Sequence, residues 1–230
     1  MLGNLIRFFY FKLKKRELTL DKNISSWELI SLIISNSAAL FRGFLNGYIG
    51  VCFYGKIILL GKKKIKIGIG SCIGPMCKLN GIGHDGISLG KSCSIGAFSF
   101  IQVTGSLSSI GKGICIGDNV GIGEFAHIGG AGRVKIGNDT IIGAYFSVHP
   151  ENHNYKDQNI LIRNQGVNRK GVLIGNNCWI GAKVTILDGT IIGNGCVVAA
   201  GAVVKGIYPD NVIIGGVPSK ILKERVIDEM

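Results

Sequence analysis

Proline is scarce, at 4 of 230 residues, which excludes collagen-like chains and Pro-rich low complexity. Charge is sparse as well. Only 17% of residues are charged against 47% hydrophobic, far too apolar a balance for a disordered chain. The seven cysteines form no Cys-x-x-Cys pair and their number is odd. No disulfide framework is expected, and a reducing compartment fits best. The most apolar stretch, Leu29 to Leu45, is broken by Ser31, Ser35, Asn36, Ser37 and Arg42. It falls short of the roughly 18 uninterrupted apolar residues of a membrane span, so none is expected. The first residues are basic and aromatic but lack a small-residue cleavage site, and are not read as a signal peptide. These absences point to the cytoplasm. Histidine is limited to His84, His127, His149 and His153, which leaves imidazole chemistry few places to sit.

What the chain has in excess is glycine, 36 residues, more than twice the usual share of about 7%. The reason is a repeat. Aliphatic residues fall six apart at 174, 180, 186, 192, 198 and 204. The same spacing runs through 110, 116, 122 and 128, then 136, 142 and 148 after a two-residue slip. Earlier it appears at 67, 73 and 79, and at 89, 95 and 101. Small or slender residues follow four places on: Cys77, Cys93, Ser99, Ala126, Thr140, Cys178, Val184, Thr190, Cys196 and Ala202. A helix repeats near 3.6 and a strand near 2, so neither explains six. A solenoid does: each hexad is a short strand and a corner, and three hexads close one three-sided coil. The first position of each hexad is expected to fill the interior. The small position fits near a corner, and the glycine after the first position (Gly68, Gly117, Gly181) is expected to supply unusual corner angles.

This pattern resembles the bacterial hexapeptide acyltransferases. The resemblance covers roughly 65–222 and implies a mainly β fold, a left-handed parallel β-helix. Residues 1–64 differ in composition, with 11 Lys and Arg against 3 Asp and Glu. They are expected to form a basic, aromatic helical cap, with Ser26 as the N-cap of a helix carrying Leu29, Ile30, Ile33 and Ile34. The β-helix is expected at 65–208. A polar excursion at 149–171 interrupts it, and excursions of that length are usually functional. A tail at 209–230 is expected to hold a short C-terminal helix with Pro218 in its first turn.

Within the family, His153-Asn154-Tyr155, the segment Gly171 to Gly189 and Gly216-Val-Pro-Ser-Lys220 resemble sugar O-acetyltransferases of the galactoside and colanic-acid type. The resemblance implies direct transfer from acetyl-CoA to a sugar hydroxyl of a surface polysaccharide or its precursor. A histidine general base would take the hydroxyl proton. His153 is the first choice and His149, which heads a His-Pro, the second. Glu124, His127 and Tyr155 are candidates for the acceptor. The donor would lie along Trp179, Ala182, Ala200, Gly201, Lys205, Lys220 and Lys223, with backbone N–H groups near Ala182 and Ala200 toward the thioester and pantetheine carbonyls. The family assembles as homotrimers with sites between subunits. N-acetylation of an amino sugar, acetylation of a small molecule, and a non-catalytic scaffold are the rival functions.

Other signals are weaker. His127, His149 and His153 could form a three-histidine metal site of the γ-carbonic-anhydrase kind, but their spacing is wrong for it, and no metal is expected. Cys72, Cys77, His84 and Cys93 read as core residues rather than zinc ligands. Gly81 to Gly86 matches GxGxxG without a βαβ context. No nucleic-acid motif accompanies the basic N-terminus. Its Phe8, Phe9, Tyr10 and Phe11 among cations suggest weak contact of residues 1–16 with an anionic membrane at its inner face.

Overall fold

The computed structural model describes residues 19–225; the proposed membrane contact through residues 1–16 lies outside them. Three sheets of nine, seven and seven strands, parallel except for the last strand of the first, form the sides of a solenoid. The chain visits them in strict rotation. The first face holds pairs such as Ile141–Trp179–Val197, the second His127–Ser147–Thr185, the third Lys135–Leu173–Ile191. The corner between the first and second faces is called the first corner. The second corner joins the second face to the third, and the third corner closes the coil.

The hexad positions line the interior. Ile73, Ile101, Ile128, Ile174, Ile180, Ile186 and Ile192 are fully buried, and all ten small-position residues from Cys77 to Ala202 are buried with them. Each buried Ile contributes about 2–3 kcal/mol of hydrophobic stabilisation. Inward thiols donate to backbone carbonyls, as from Cys77 to Gly96 (3.1 Å) and Cys178 to Gly193 (3.2 Å). Burial pushes the Cys178 thiol up to about 11, so it stays protonated and inert.

Four expectations need correction. Ile110 is exposed and outside the core, in a surface excursion between Thr104 and Gly111. The glycine after each hexad start has ordinary backbone angles. The left-handed residues come two positions later, at Met76, Phe98, Phe125, Tyr145 and Lys183. Those glycines serve close approach instead: a Cβ on Gly68 would lie 2.5 Å from the Gly90 backbone, one on Gly117 2.3 Å from Asn138, and one on Gly181 2.6 Å from Ala200 N. Third, the solenoid begins before residue 65. Phe53 and Leu59 pair with Ile73 and Leu79, so the first coil starts near Val51. Fourth, the described part of the tail, residues 209–225, forms no helix. Lys220–Glu224 is an antiparallel strand on Val212–Gly215, and the Val217–Pro218 bond between them is cis.

Helix α1 (Ser26–Leu45) precedes the first coil. Its N-cap is Ser25 rather than Ser26, because only Ser25 stands three residues before Glu28 and completes a capping box. Leu29, Ala39 and Gly43 are buried. A Cβ on Gly43 would lie 1.9 Å from Val51 O, so only glycine lets the helix touch the coil there. By length and composition α1 is apolar enough to cross a membrane, although polar residues interrupt it.

Candidate active site

The second face ends in a cleft at the second corner, of about 250 Å³, lined by Gln102, His127, Gly129, His149, Glu151 and His153 among others. His127 opens the strand His127–Gly129 and His149 closes Ser147–His149. His127 pairs with Ser147, so His149 is its diagonal neighbour on the same outward side. The two rings stack with centroids 5.9 Å apart. Partial burial, and then charge on His149, push the His127 pKa below its ordinary value. His127 is thereby held as a neutral imidazole, able to accept a proton or share one.

The excursion that follows is a hairpin. Asn152–His153 pairs antiparallel with Val167–Asn168, and His153 is exposed on it. Two residues missed by sequence reasoning hold this hairpin in place. Asp188 is buried at the second corner of the next coil. Its carboxylate accepts from Lys170 N (2.9 Å), Gly171 N (2.8 Å) and Asn152 Nδ2 (3.1 Å), so one side chain clamps both legs. Arg169 donates to Glu151 at 3.0 Å and to the carbonyls of Ser109 and Ile110 at 3.2 Å. It thus ties the hairpin to the neighbouring 104–111 excursion, and both form the cleft rim. The available signal was a charged residue inside an apolar repeat, Asp188, and a cation at the end of the polar excursion, Arg169.

The other candidates fall elsewhere. Trp179 is exposed on the first face, and Ala182, Ala200 and Gly201 sit at the first corner beside it. Among the described residues, no backbone carbonyl takes the Ala182 or Ala200 N–H, whereas Gly201 N donates to Ala182 O at 2.9 Å. Lys220 and Lys223 lie on the final strand of that face. Lys205 does not join them: it follows the Val203–Val204 strand, at the second corner. Glu124 is at the first corner and Tyr155 is exposed beyond the cleft; neither lines it. Below Ala182 on the same corner, Phe98, Phe125 and Tyr145 form a stack with centroids 5.2 and 5.0 Å apart. All three rings are about half exposed. Among the described residues no three His, Cys, Asp or Glu side chains gather as a metal site.

With this geometry in view, the comparisons fit the repeat. Residues 171–206 match the family of bacterial transferase hexapeptide (six repeats). The chain is 38% identical over 126 residues to WbbJ of Escherichia coli, named for lipopolysaccharide biosynthesis O-acetyl transfer, covering 51% of this chain and 64% of that one. It is 28% identical to WcaF of Escherichia coli, named for colanic acid biosynthesis acetyl transfer, over 50% of this chain and 61% of that one. It is 33% identical to the galactoside O-acetyltransferase of Escherichia coli over 40% and 44%. The chain therefore spans less than two thirds of the length of these relatives. An N-acyltransferase from Bacillus cereus, AntD, solved with dTDP-4-amino-4,6-dideoxyglucose and coenzyme A, shares the fold: TM-score 0.52, 20% identity, 77% of this chain and 82% of that one. The hexad reading and the similarity to sugar O-acetyltransferases thus stand together, on a chain in which residues 171–206 match the hexapeptide-transferase repeat.

Proposed function

We propose that this protein is an acetyl-CoA-dependent O-acetyltransferase acting on a sugar hydroxyl of a surface polysaccharide or its precursor, as a homotrimer with a left-handed coil. The observation that carries the reading is the stacking of His127 on His149 in a cleft that His153 also lines, at the edge of a hexapeptide solenoid. A neutral imidazole there takes the proton of an acceptor hydroxyl as its oxygen attacks the acetyl carbonyl. The carbonyl oxygen gains negative charge, for which the Ala182 N–H is the proposed donor. The carbon–sulfur bond then breaks, the acetyl ester forms, and the imidazolium returns its proton to the leaving thiolate.

His153 and His149 are both proposed as the base. Geometry favours His149 over the order drawn from sequence, because it ends a solenoid strand against His127, whereas His153 rides an exposed hairpin. A rigid support suits a group that must hold one orientation. The proposed donor positions and the histidines occupy opposite edges of the second face within one chain. That separation supports a site completed by a second copy. The exposed aromatic stack of Phe98, Phe125 and Tyr145, continuous with the Ala182 corner, is a surface such a copy would cover. Cytoplasmic location is proposed because the seven cysteines offer no disulfide framework and the proposed donor is a nucleotide thioester.

The test is thiol release from acetyl-CoA in the presence of candidate glycans. Acceptor-dependent release, lost in a His149→Ala, His153→Ala double variant, is expected. Absence of release with any acceptor would favour the scaffold reading, and release only with amino sugars would favour N-acetylation.

A further inference from the structure

Helix α1 has two apolar sides. One holds the buried Leu29, Ala39 and Gly43 and meets the first coil at Gly43, which abuts Val51, and at Arg42, which donates to Phe53 O at 3.3 Å. The other turns away and carries Trp27, Ile30, Ile34, Phe41, Phe44 and Leu45, spaced by threes, fours and sevens along one stripe. Trp27, Ile34, Phe41, Phe44 and Leu45 are 80%, 64%, 61%, 60% and 65% exposed. The stripe runs roughly 27 Å at the helical rise. The only charged side chains of the helix, Glu28 and Arg42, lie off it. Apolar surface on this scale, rimmed by polar residues, marks an interaction site.

We propose that this stripe seats the protein flat on an anionic lipid bilayer. The charge around it selects the occupant. Arg7, Lys12, Lys14, Lys15, Arg16 and Lys22 precede the helix in sequence. Lys62, Lys63 and Lys64 form an exposed turn near its C-terminal end, where Lys62 Nζ lies 5.9 Å from the centre of the Tyr48 ring. Cations that precede the apolar helix in sequence and a lysine turn near its C-terminal end, with Trp and Phe along it, match anionic headgroups over acyl chains. A second copy is the poorer match. Pairing by the stripe would bring together two segments that each carry 11 basic against 3 acidic residues, and like charge opposes that contact. The helix lies on the bilayer rather than crossing it, because its other side is packed on the solenoid. Membrane seating does not depend on the acetyl-transfer reading.

The test uses the full chain with vesicles of phosphatidylcholine alone or with phosphatidylglycerol added. Flotation with the anionic vesicles, weakened by salt, is expected. A Trp27→Glu, Ile34→Glu, Phe41→Glu variant with unchanged circular dichroism should bind about tenfold or more weakly. A second readout needs no charge in the stripe. The chain has two tryptophans, so Trp179→Phe leaves Trp27 alone, and its emission should shift to the blue on anionic vesicles. Failure to bind any vesicle would overturn the proposal. So would binding with unmoved Trp27 emission, which would assign the contact to residues 1–18. Absent vesicle binding combined with a larger oligomer that the triple variant dissolves would show that a second copy covers the stripe.

Discussion

At the first corner the chain always takes six residues from one inward position to the next: Phe53 to Leu59, Ile73 to Leu79, Ile95 to Ile101, Ile122 to Ile128, Ile142 to Val148, Ile180 to Ile186 and Val198 to Val204. At the second corner it takes eight from Leu59 to Ile67, ten from Leu79 to Leu89 and fifteen from Ile101 to Ile116. It then takes eight from Ile128 to Ile136 and twenty-six from Val148 to Ile174. Every added residue between these coils is spent on one edge. The even edge stacks its backbone in register and, among the described residues, leaves the Ala182 and Ala200 N–H groups without a backbone acceptor, which suits the extended donor proposed there. The uneven edge builds a rim from loops of different lengths, suited to an acceptor that differs between enzymes. The interrupted edge also carries all four histidines: His127, His149 and His153 line its cleft, and His84 falls in the step from Leu79 to Leu89.

The sharpest way to break this contrast is to remove a base from the uneven edge. His149→Ala should lower turnover by about 100-fold or more while acetyl-CoA binding, measured by calorimetry, stays put. If His153→Ala has the larger effect, the hairpin rather than the strand supplies the base. On the even edge, Ala182→Trp should weaken acetyl-CoA binding by about tenfold or more by filling the proposed donor path; unchanged affinity would move the donor elsewhere. Asp188→Ala leaves three hairpin donors without their acceptor and should cost about 3 kcal/mol of stability by denaturant unfolding. A loss confined to activity would mean that the clamp is not structural. Arg169→Ala should raise the acceptor KM several-fold with little change in the acetyl-CoA KM, since it frees the rim between the two excursions.

The smallest expected effect is a pH dependence. The His127 pKa lies below its ordinary 6.5 because burial, and then charge on His149, oppose its protonation. As pH falls, the unfolded chain takes up this proton first, so stability drops through the window from 6.5 down to the lowered value and then levels off. Above 6.5 the group contributes nothing. A His127→Gln variant should therefore lose less Tm on acidification across that window than the wild type, by a small amount. An identical pH response in the two proteins would remove the argument for a neutral His127.

The even edge was largely legible from the residues, because a six-residue period is a direct imprint of three-sided winding, and the buried small positions from Cys77 to Ala202 followed from it. The first coil was hidden because Phe53 stands where an aliphatic residue is usual and the Lys62–Lys64 turn stretches the next step to eight. Ile110 matched the period by coincidence inside an excursion. The glycines were assigned to the right places for the wrong reason: contact between successive coils is a packing fact that no local angle reveals. The uneven edge was legible only as an interruption. His127 and His149 came together through register, which the slip after Ile128 allowed, but the Asp188 clamp and the Arg169 tie join segments between 17 and 60 residues apart. The C-terminal strand was missed because Pro218 opens helices as readily as it terminates a turn, and only pairing with Val212–Gly215 decides between them.

The claim that the two edges belong to one site shared between copies is tested most directly by complementation. His149→Ala and Ala182→Trp chains, each strongly impaired alone when acetyl-CoA is held below saturation, are unfolded together and refolded into mixed oligomers, with differently tagged chains captured to prove mixing. The account predicts that activity returns, because an intact histidine edge on one copy then faces an intact donor edge on another. Mixed oligomers that remain inactive, or a fully active monomer in sedimentation, would contradict it.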